Sequence, residues 1–228
     1  MNSELNNSDN SRGAFNAMSH DLYGQVLKYF KNGDKVLNLG CGAQCNLEKL
    51  LKLTKSNISI TSIDIVDLPM SKYVDTFIHT DVEKEFDINQ KFDVVCFFEL
   101  LEHIDKTDIL IRNCVRHMKD DGLLVFSFPN LASIHGRIEL LLGFQPHILE
   151  VSNEYSNFGT GIFGKINNAT GKAIHHIRGL TCRAVKELVE YNNITVRSMI
   201  GWEARTGKLL SKFPQIAPVA IFICKKNV

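Results

Sequence analysis

Apolar positions along this chain switch between two periods, and the switching predicts its elements. Leu22, Val26, Leu27 and Phe30 recur near helical spacing within a segment from about Phe15 to Phe30. Lys35–Leu39 reads as a strand and Asn46 to about Leu53 as a helix. "ISITSID" predicts a second strand ending at Asp64, and "DTFIHTD" a short third one ending at Asp81. "FDVVCFF" is apolar on both faces, which suits a strand inside a covered sheet. Ile109, Leu110, Cys114, Val115 and Met118 predict a helix closed by "DDG", and "LLVFSFP" a fifth strand.

Strands alternating with helices imply right-handed crossovers and a parallel sheet with helices on both faces. Ligands in such sheets bind beyond the carboxyl ends of the strands, near the switch point. Gly40 to Gly42, Asp64, Asp81 and Glu99 all fall at such ends. After Pro129 the alternation stops. An insertion of about residues 130–178 begins with the helical pattern "SIHGRIELLLG". It continues as "SNEYSNFGTGIFGKINNATGKAIHH", rich in Gly and Asn, which reads as a lid or substrate-binding loop. "TCRAVKELVEY" predicts one more helix. "ITVRSMIG" and "APVAIFICKK" predict a closing antiparallel pair. The whole reads as a flexible tail, residues 1–12, and one α/β domain over residues 13–228.

Composition narrows the class. A chain of 228 residues can bury one well-formed core, and 44% apolar with 22% charged residues is ordinary for a globular protein. A net charge of +1 argues against holding long nucleic acid by electrostatics. The six cysteines form no CxxC pair, which fits reduced thiols in a cytoplasmic protein. No stretch is long and apolar enough to span a membrane, and "MNSELNNSDNSRG" lacks a signal-peptide core. The expected partner is a small-molecule substrate; the pattern does not fix an oligomeric state.

"VLNLGCGAQCNLEKL" places glycines where a strand ends and a helix begins. Such a turn lets a ligand approach the backbone with a helix N-terminus behind it. A tight turn with no ligand is the plainer alternative. Ala43-Gln44 stands where a dinucleotide fingerprint has its third glycine, which counts against NAD. Asp64, at the end of the next strand, could accept both hydroxyls of a ribose, and Asp81 could receive an adenine amino group. Each could instead cap a helix.

"VLNLGCG", "SIDI", "HTDVEKEF", "FDVVCFFELLEHI" and "GLLVFSFPN" resemble, in order and spacing, the class I S-adenosylmethionine-dependent methyltransferases. The resemblance covers about Asp34 to Asn130 and implies a Rossmann-like, seven-stranded, mostly parallel sheet with an antiparallel last strand. It implies that Asn38, Gly40, Cys41 and Gly42 surround the methionine part of the cofactor. Asp64 with Ile65 would meet the ribose, Asp81 with Val82 the adenine, and Phe98 and Glu99 the amino-acid end. The family usually has an acid where this chain has Asn38, and commonly a glycine where it has Gln44.

"ELLEH" places Glu99, Glu102 and His103 on one face of a helical turn. Two carboxylates and an imidazole could bind a divalent cation, or act as a base with its orienting acids. Glu-x-x-Glu-His with a later histidine is similar to the metal site of small-RNA 2′-O-methyltransferases and of ubiquinone-pathway O-methyltransferases. That likeness makes His176 the fourth ligand beside Glu99, Glu102 and His103, with His175 the lesser candidate. A hydrogen-bonded cap with His103 near the substrate is the alternative. For catalysis the reading is His103 as base, oriented by Glu102, with His176 completing the site.

His135, Arg137 and His147 in the insertion could reach an anionic substrate or simply be solvated. Tyr155, Phe158 and Phe163 could close over a ligand or pack the lid. His20 and Tyr23 could cover the cofactor, and Trp202 is expected in core or interface.

The expected activity is S-adenosylmethionine-dependent O-methylation of a polar small molecule. Likeness through "FPN", "R…LLG" and "HIRGLT" to small bacterial methyltransferases implies a sugar, a nucleotide-linked sugar or a phosphorylated metabolite, as in capsule or polysaccharide biosynthesis. Two alternatives stand beside it: a metal-dependent RNA 2′-O-methyltransferase, and a non-catalytic cofactor-binding partner subunit.

Overall fold

The computed structural model describes residues 22–67, 71–168, 170–203 and 210–227. His20, the proposed tail and the first part of the expected Phe15–Phe30 helix lie outside them. Residues 22–26 are helical and run into a 3-10 turn, Leu27–Tyr29.

Seven strands follow in chain order: β1 Lys35–Leu39, β2 Ser59–Asp64, β3 Thr76–His79, β4 Phe92–Phe98, β5 Met118–Pro129, β6 Ile194–Trp202 and β7 Val219–Lys226. Interleaved are the helices α1 Asn46–Thr54, α2 Thr107–His117, α3 Ile134–Leu141, α4 Gly161–Asn167 and α5 Cys182–Tyr191. The strands form one sheet in the order β3-β2-β1-β4-β5-β7-β6. β1 to β5 pair in parallel, and β7 is inserted antiparallel between β5 and β6. This is the Rossmann-like sheet with a reversed last strand that the sequence led us to expect.

Strand alternation sorts the core into two layers. Leu37, Leu39, Val95 and Phe97 face a layer closed by Leu110, Ile111 and Cys114 of α2 and Val185 and Val189 of α5. Val36, Val94, Cys96 and Phe98 face the opposite layer, closed by Leu22, Val26 and Phe30 and by Leu47 and Leu51 of α1. Each such buried side chain contributes roughly 1.5–3 kcal/mol, so helices on both faces hold the sheet and fix its edges. All six cysteines are free thiols.

Three local expectations need correction. Met118 opens β5 instead of closing α2, because the chain passes into the strand directly after His117. The Gly- and Asn-rich part of the insertion contains a helix, α4. Its Gly164 is required by packing: a Cβ there would stand 2.0 Å from Thr160 Oγ1, so glycine here marks a close approach and not a loop. "ELLEH" does not form one helical face. Glu99 takes a left-handed backbone at φ +48°, and only Leu101–His103 make a 3-10 turn. The reversal at Glu99 breaks the spacing on which the shared face rested.

Candidate functional site

β1 is flanked by β2 on one side and β4 on the other, so the loops leaving β1 and β4 diverge and open a cleft. The cleft holds about 420 Å³, within the range of small-molecule sites. Its floor is the turn from Gly40 through Gln44, and Phe98 and Glu99 form the β4 side. Gly40 is in the left-handed region at φ +70°, and a Cβ on it would stand 2.9 Å from Leu100 Cδ1. The positive φ favours glycine there, and the backbone of the turn lines the cleft.

Leu22, Tyr23, Trp202 and Val219 complete its lining. Tyr23 packs edge-on against Phe98 with ring centroids 5.2 Å apart. Trp202, expected in core or interface, is buried yet lines the cleft, and its Nε1 has no hydrogen-bond partner. Its place at the end of β6 carried no signal in a single sequence, because any strand end can hold a packed tryptophan.

The carboxylates expected to hold a nucleoside share one rim of the sheet. Asp64 Oδ2 accepts from the Gly42 amide at 2.9 Å and Oδ1 from Val66 at 3.0 Å, tying β2 to the glycine turn. The Thr80 amide donates to the Asp64 carbonyl at 3.1 Å, which sets Asp81 beside it. Asp81 Oδ1 accepts from the Glu83 amide at 2.9 Å, and buried Val82 follows. Ile65, next to Asp64, is exposed. Asn38 lies beneath the turn and donates to Glu48 of α1 at 2.7 Å.

Beyond Glu99 stands a second group. Glu102 is fully buried, and both its carboxylate oxygens lack a hydrogen-bond partner. His103 Nε2 and His176 Nε2 each stand 3.8 Å from Glu102 Oε1. The two rings meet edge-on at 4.9 Å between centroids. Each imidazole spends its Nδ1–H on a backbone carbonyl: His103 on His175 at 2.9 Å, His176 on Ile148 at 2.9 Å. In the neutral ring this bond leaves the lone pair on Nε2, toward the carboxylate, the arrangement in which an outer hydrogen bond fixes the tautomer of a metal-ligating histidine. Three ligand atoms lie within 4.8 Å of one another. The orienting partner of His103 is thus the His175 carbonyl, not Glu102 as expected. Glu99 stands outside this group, since its Oε1 accepts from Ser127 Oγ at 2.6 Å.

Electrostatics follow from burial. Desolvation first, then the charge of Glu99, raises Glu102 well above the usual carboxylate range. Desolvation also raises Glu99, against the Ser127 hydrogen bond. Burial holds His176 below the ordinary imidazole value, although its bond to Ile148 opposes the shift.

The insertion brings His176 to this place. The Ile177 and Arg178 amides both donate to the Glu102 carbonyl, at 3.0 and 3.1 Å. Arg178 Nε donates to the Ile104 carbonyl at 2.7 Å, and its Nη2 to the Asp105 carbonyl. On the other side, Glu150 accepts from the amides of Ile174, His175 and His176. His147 is held by Glu139 at 2.6 Å, His135 stands 3.9 Å from Glu203, and Arg137 bonds the Ala132 carbonyl. Phe158 packs on Tyr155 and Phe163 on Phe144, all within the insertion.

Comparison with known proteins agrees with this architecture. The profile of a family described as "Methyltransferase domain" matches residues 12–161. A ubiquinone biosynthesis O-methyltransferase of Actinobacillus pleuropneumoniae serotype 7 is 30% identical over 112 residues, covering 43% of this chain and 47% of the relative. The match thus spans about half the length of that curated relative. A possible histamine N-methyltransferase from Thermotoga maritima shares the fold with TM-score 0.64 at 11% identity, covering 96% of this chain and 95% of that one. An S-adenosylmethionine-dependent methyltransferase from Clostridium acetobutylicum gives TM-score 0.59 at 12% identity, covering 93% and 92%.

Proposed function

This chain belongs to the class I S-adenosylmethionine-dependent methyltransferases, and from that membership we propose that it methylates a hydroxyl oxygen with help from a divalent cation. The family is an enzyme family with S-adenosylmethionine as cofactor, which leaves the partner-subunit alternative without support. The observation that carries the finer reading is the buried Glu102 carboxylate, unpartnered, with two Nε2 lone pairs turned toward it. A carboxylate and two imidazoles suit a borderline divalent ion, and the orphaned oxygens are what such an ion would complete.

Glu102, His103 and His176 would hold the cation, which would supply Lewis acidity that favours the ionised form of the acceptor hydroxyl. The chain's own residues do the rest. The glycine turn and the Asp64 rim would orient the cofactor, so that transfer becomes a matter of alignment. His175 and Ile148 carbonyls keep both histidines in the Nε2 lone-pair tautomer, the state able to ligate or to take a proton from the acceptor. Tyr23, Phe98 and Trp202 exclude water from one wall of the cleft.

For the acceptor we put forward a hydroxylated small molecule, a sugar, nucleotide-linked sugar or phosphorylated metabolite, on the strength of the "FPN" and "HIRGLT" likeness. An RNA 2′-hydroxyl is the second reading, favoured by the Glu/His group and opposed by the net charge of +1. Transfer of labelled methyl to catechol, sugar-nucleotide and RNA-oligonucleotide acceptors, with and without chelator, tests both. Chelator-sensitive labelling of a small hydroxylated acceptor supports the proposal; labelling of RNA alone supports the second reading. Labelling at nitrogen, or indifference to chelator, overturns the proposed chemistry.

A further inference from the structure

Glu150 contributes no atom to the Glu/His group, yet it holds the segment that delivers His176. Its Oε1 accepts from the Ile174 amide at 2.6 Å, and its Oε2 from the His175 and His176 amides at 2.6 and 3.2 Å. His175, in the middle, has a left-handed backbone at φ +63°. Successive amides around such a residue converge on a concave face that suits an anion. Here the chain supplies the anion itself, and one carboxylate fixes three consecutive peptide groups. A left-handed backbone is uncommon for a residue with a side chain and persists where its surroundings over-determine it.

Two residues before Glu150, the Ile148 carbonyl accepts from His176 Nδ1 at 2.9 Å. The stretch 148–150 therefore holds His176 twice, by its ring and by its main chain. It reaches His103 as well, because the His103 Nδ1 bonds the carbonyl of His175, within the segment that Glu150 fixes. The chain between the two stretches leaves and returns, tied near its neck by the Ser156 amide on the Gly171 carbonyl at 2.8 Å. Glu150 closes that excursion at the end nearer the histidines.

Resting on the cation site proposed above, we infer that Glu150 is a positioning residue for both histidines: its carboxylate, seated among the 174–176 amides, holds the His176 main chain and the His175 carbonyl where each Nε2 meets Glu102. It acts without touching a ligand atom, and it is not among the residues lining the cleft. Ile174 and Ile177 on the held segment are exposed, so amides freed by a substitution can turn to water and the fold can survive.

Two measurements on the full chain test this: ¹⁵N NMR of the histidine rings without metal, and calorimetric titration with Mn²⁺. In the parent, His103 and His176 are expected in the Nδ1–H form that their carbonyl partners impose. Glu150→Ala is expected to give mixed tautomers at both rings and to weaken Mn²⁺ about tenfold or more, the scale of a lost orienting group. His117, held by Asn113 elsewhere, is the internal control and should not change. If Glu150→Ala does not fold, Glu150→Gln, which turns an N–H₂ toward one side of the amides, is expected to change both readouts in the same direction. If the parent binds Mn²⁺, a change in only one readout, or in neither, overturns the inference, as does an equal change at His117. If the parent binds no Mn²⁺, the cation reading falls, and the tautomers alone decide whether Glu150 positions the two rings.

Discussion

Glu102 Oε1 and His176 Nε2 stand 3.8 Å apart, one on the turn after β4 and the other near the end of the insertion. That distance is too long for a hydrogen bond and short enough for both atoms to share one cation. His176→Ala should therefore lower affinity for Mn²⁺ by about tenfold or more while leaving the circular-dichroism spectrum unchanged. Titration of metal into both proteins reads this directly. Equal affinities would remove His176 from the site.

Glu102→Gln should separate stability from function. In the parent without cation, the Glu102 carboxyl has no hydrogen-bond partner, and burial raises its pKa to about 9, which favours the neutral form. The amide is expected to change stability by less than about 1 kcal/mol, because it replaces a buried carboxyl that is already mainly neutral by a group of the same shape. Thermal melts with and without Mn²⁺ should show a higher midpoint on adding metal for the parent and no such rise for the variant. A variant that melts lower without metal and still responds to it would contradict the assignment.

Arg178 fastens the His176 segment to the turn that carries Glu102. Arg178→Ala should weaken Mn²⁺ binding by roughly 10–100-fold, as for other groups that orient a ligand without touching the metal. Arg178→Lys should rescue little, because an ammonium cannot reproduce two fixed N–H directions. Metal titration of both variants checks this; full rescue by lysine would reduce Arg178 to a charge.

A pH effect is expected at His117, away from the cleft. The ring is buried, donates from Nδ1 to the Asn113 carbonyl at 2.8 Å and accepts the Ile88 amide at Nε2 at 3.3 Å. Burial lowers its pKa below the ordinary 6.5; Asp87 opposes the shift, and Lys91 and Arg116 support it. The unfolded chain then takes the proton first as pH falls. The stabilisation is fully present above the unfolded value and is lost as pH drops toward the folded one. His117→Gln should flatten the fall in melting temperature between about pH 7 and pH 5. An unchanged slope would mean that His117 does not contribute.

The fold was legible because it rests on periodicity. Val36 and Leu37 point to opposite layers, and "FDVVCFF" is apolar on both faces because helices cover both. The cleft was legible in part: Gly40 and Gly42 are special in any strand-to-helix turn, whereas Trp202 looks like an ordinary packed residue. The Glu/His group was legible as a motif but not as geometry. Glu99 fell outside it because its left-handed backbone, satisfied by Ser127, leaves no trace in residue spacing. The histidine tautomers depend on carbonyls of His175 and Ile148, which only the folded insertion brings close.

The most direct test is diffraction from a crystal grown with S-adenosylhomocysteine and Mn²⁺. The expected result is nucleoside density along the Gly40–Gly42 turn, with an anomalous manganese peak among Glu102, His103 Nε2 and His176 Nε2. Nucleoside bound elsewhere, or a cleft filled with no manganese at those three residues, would contradict the account.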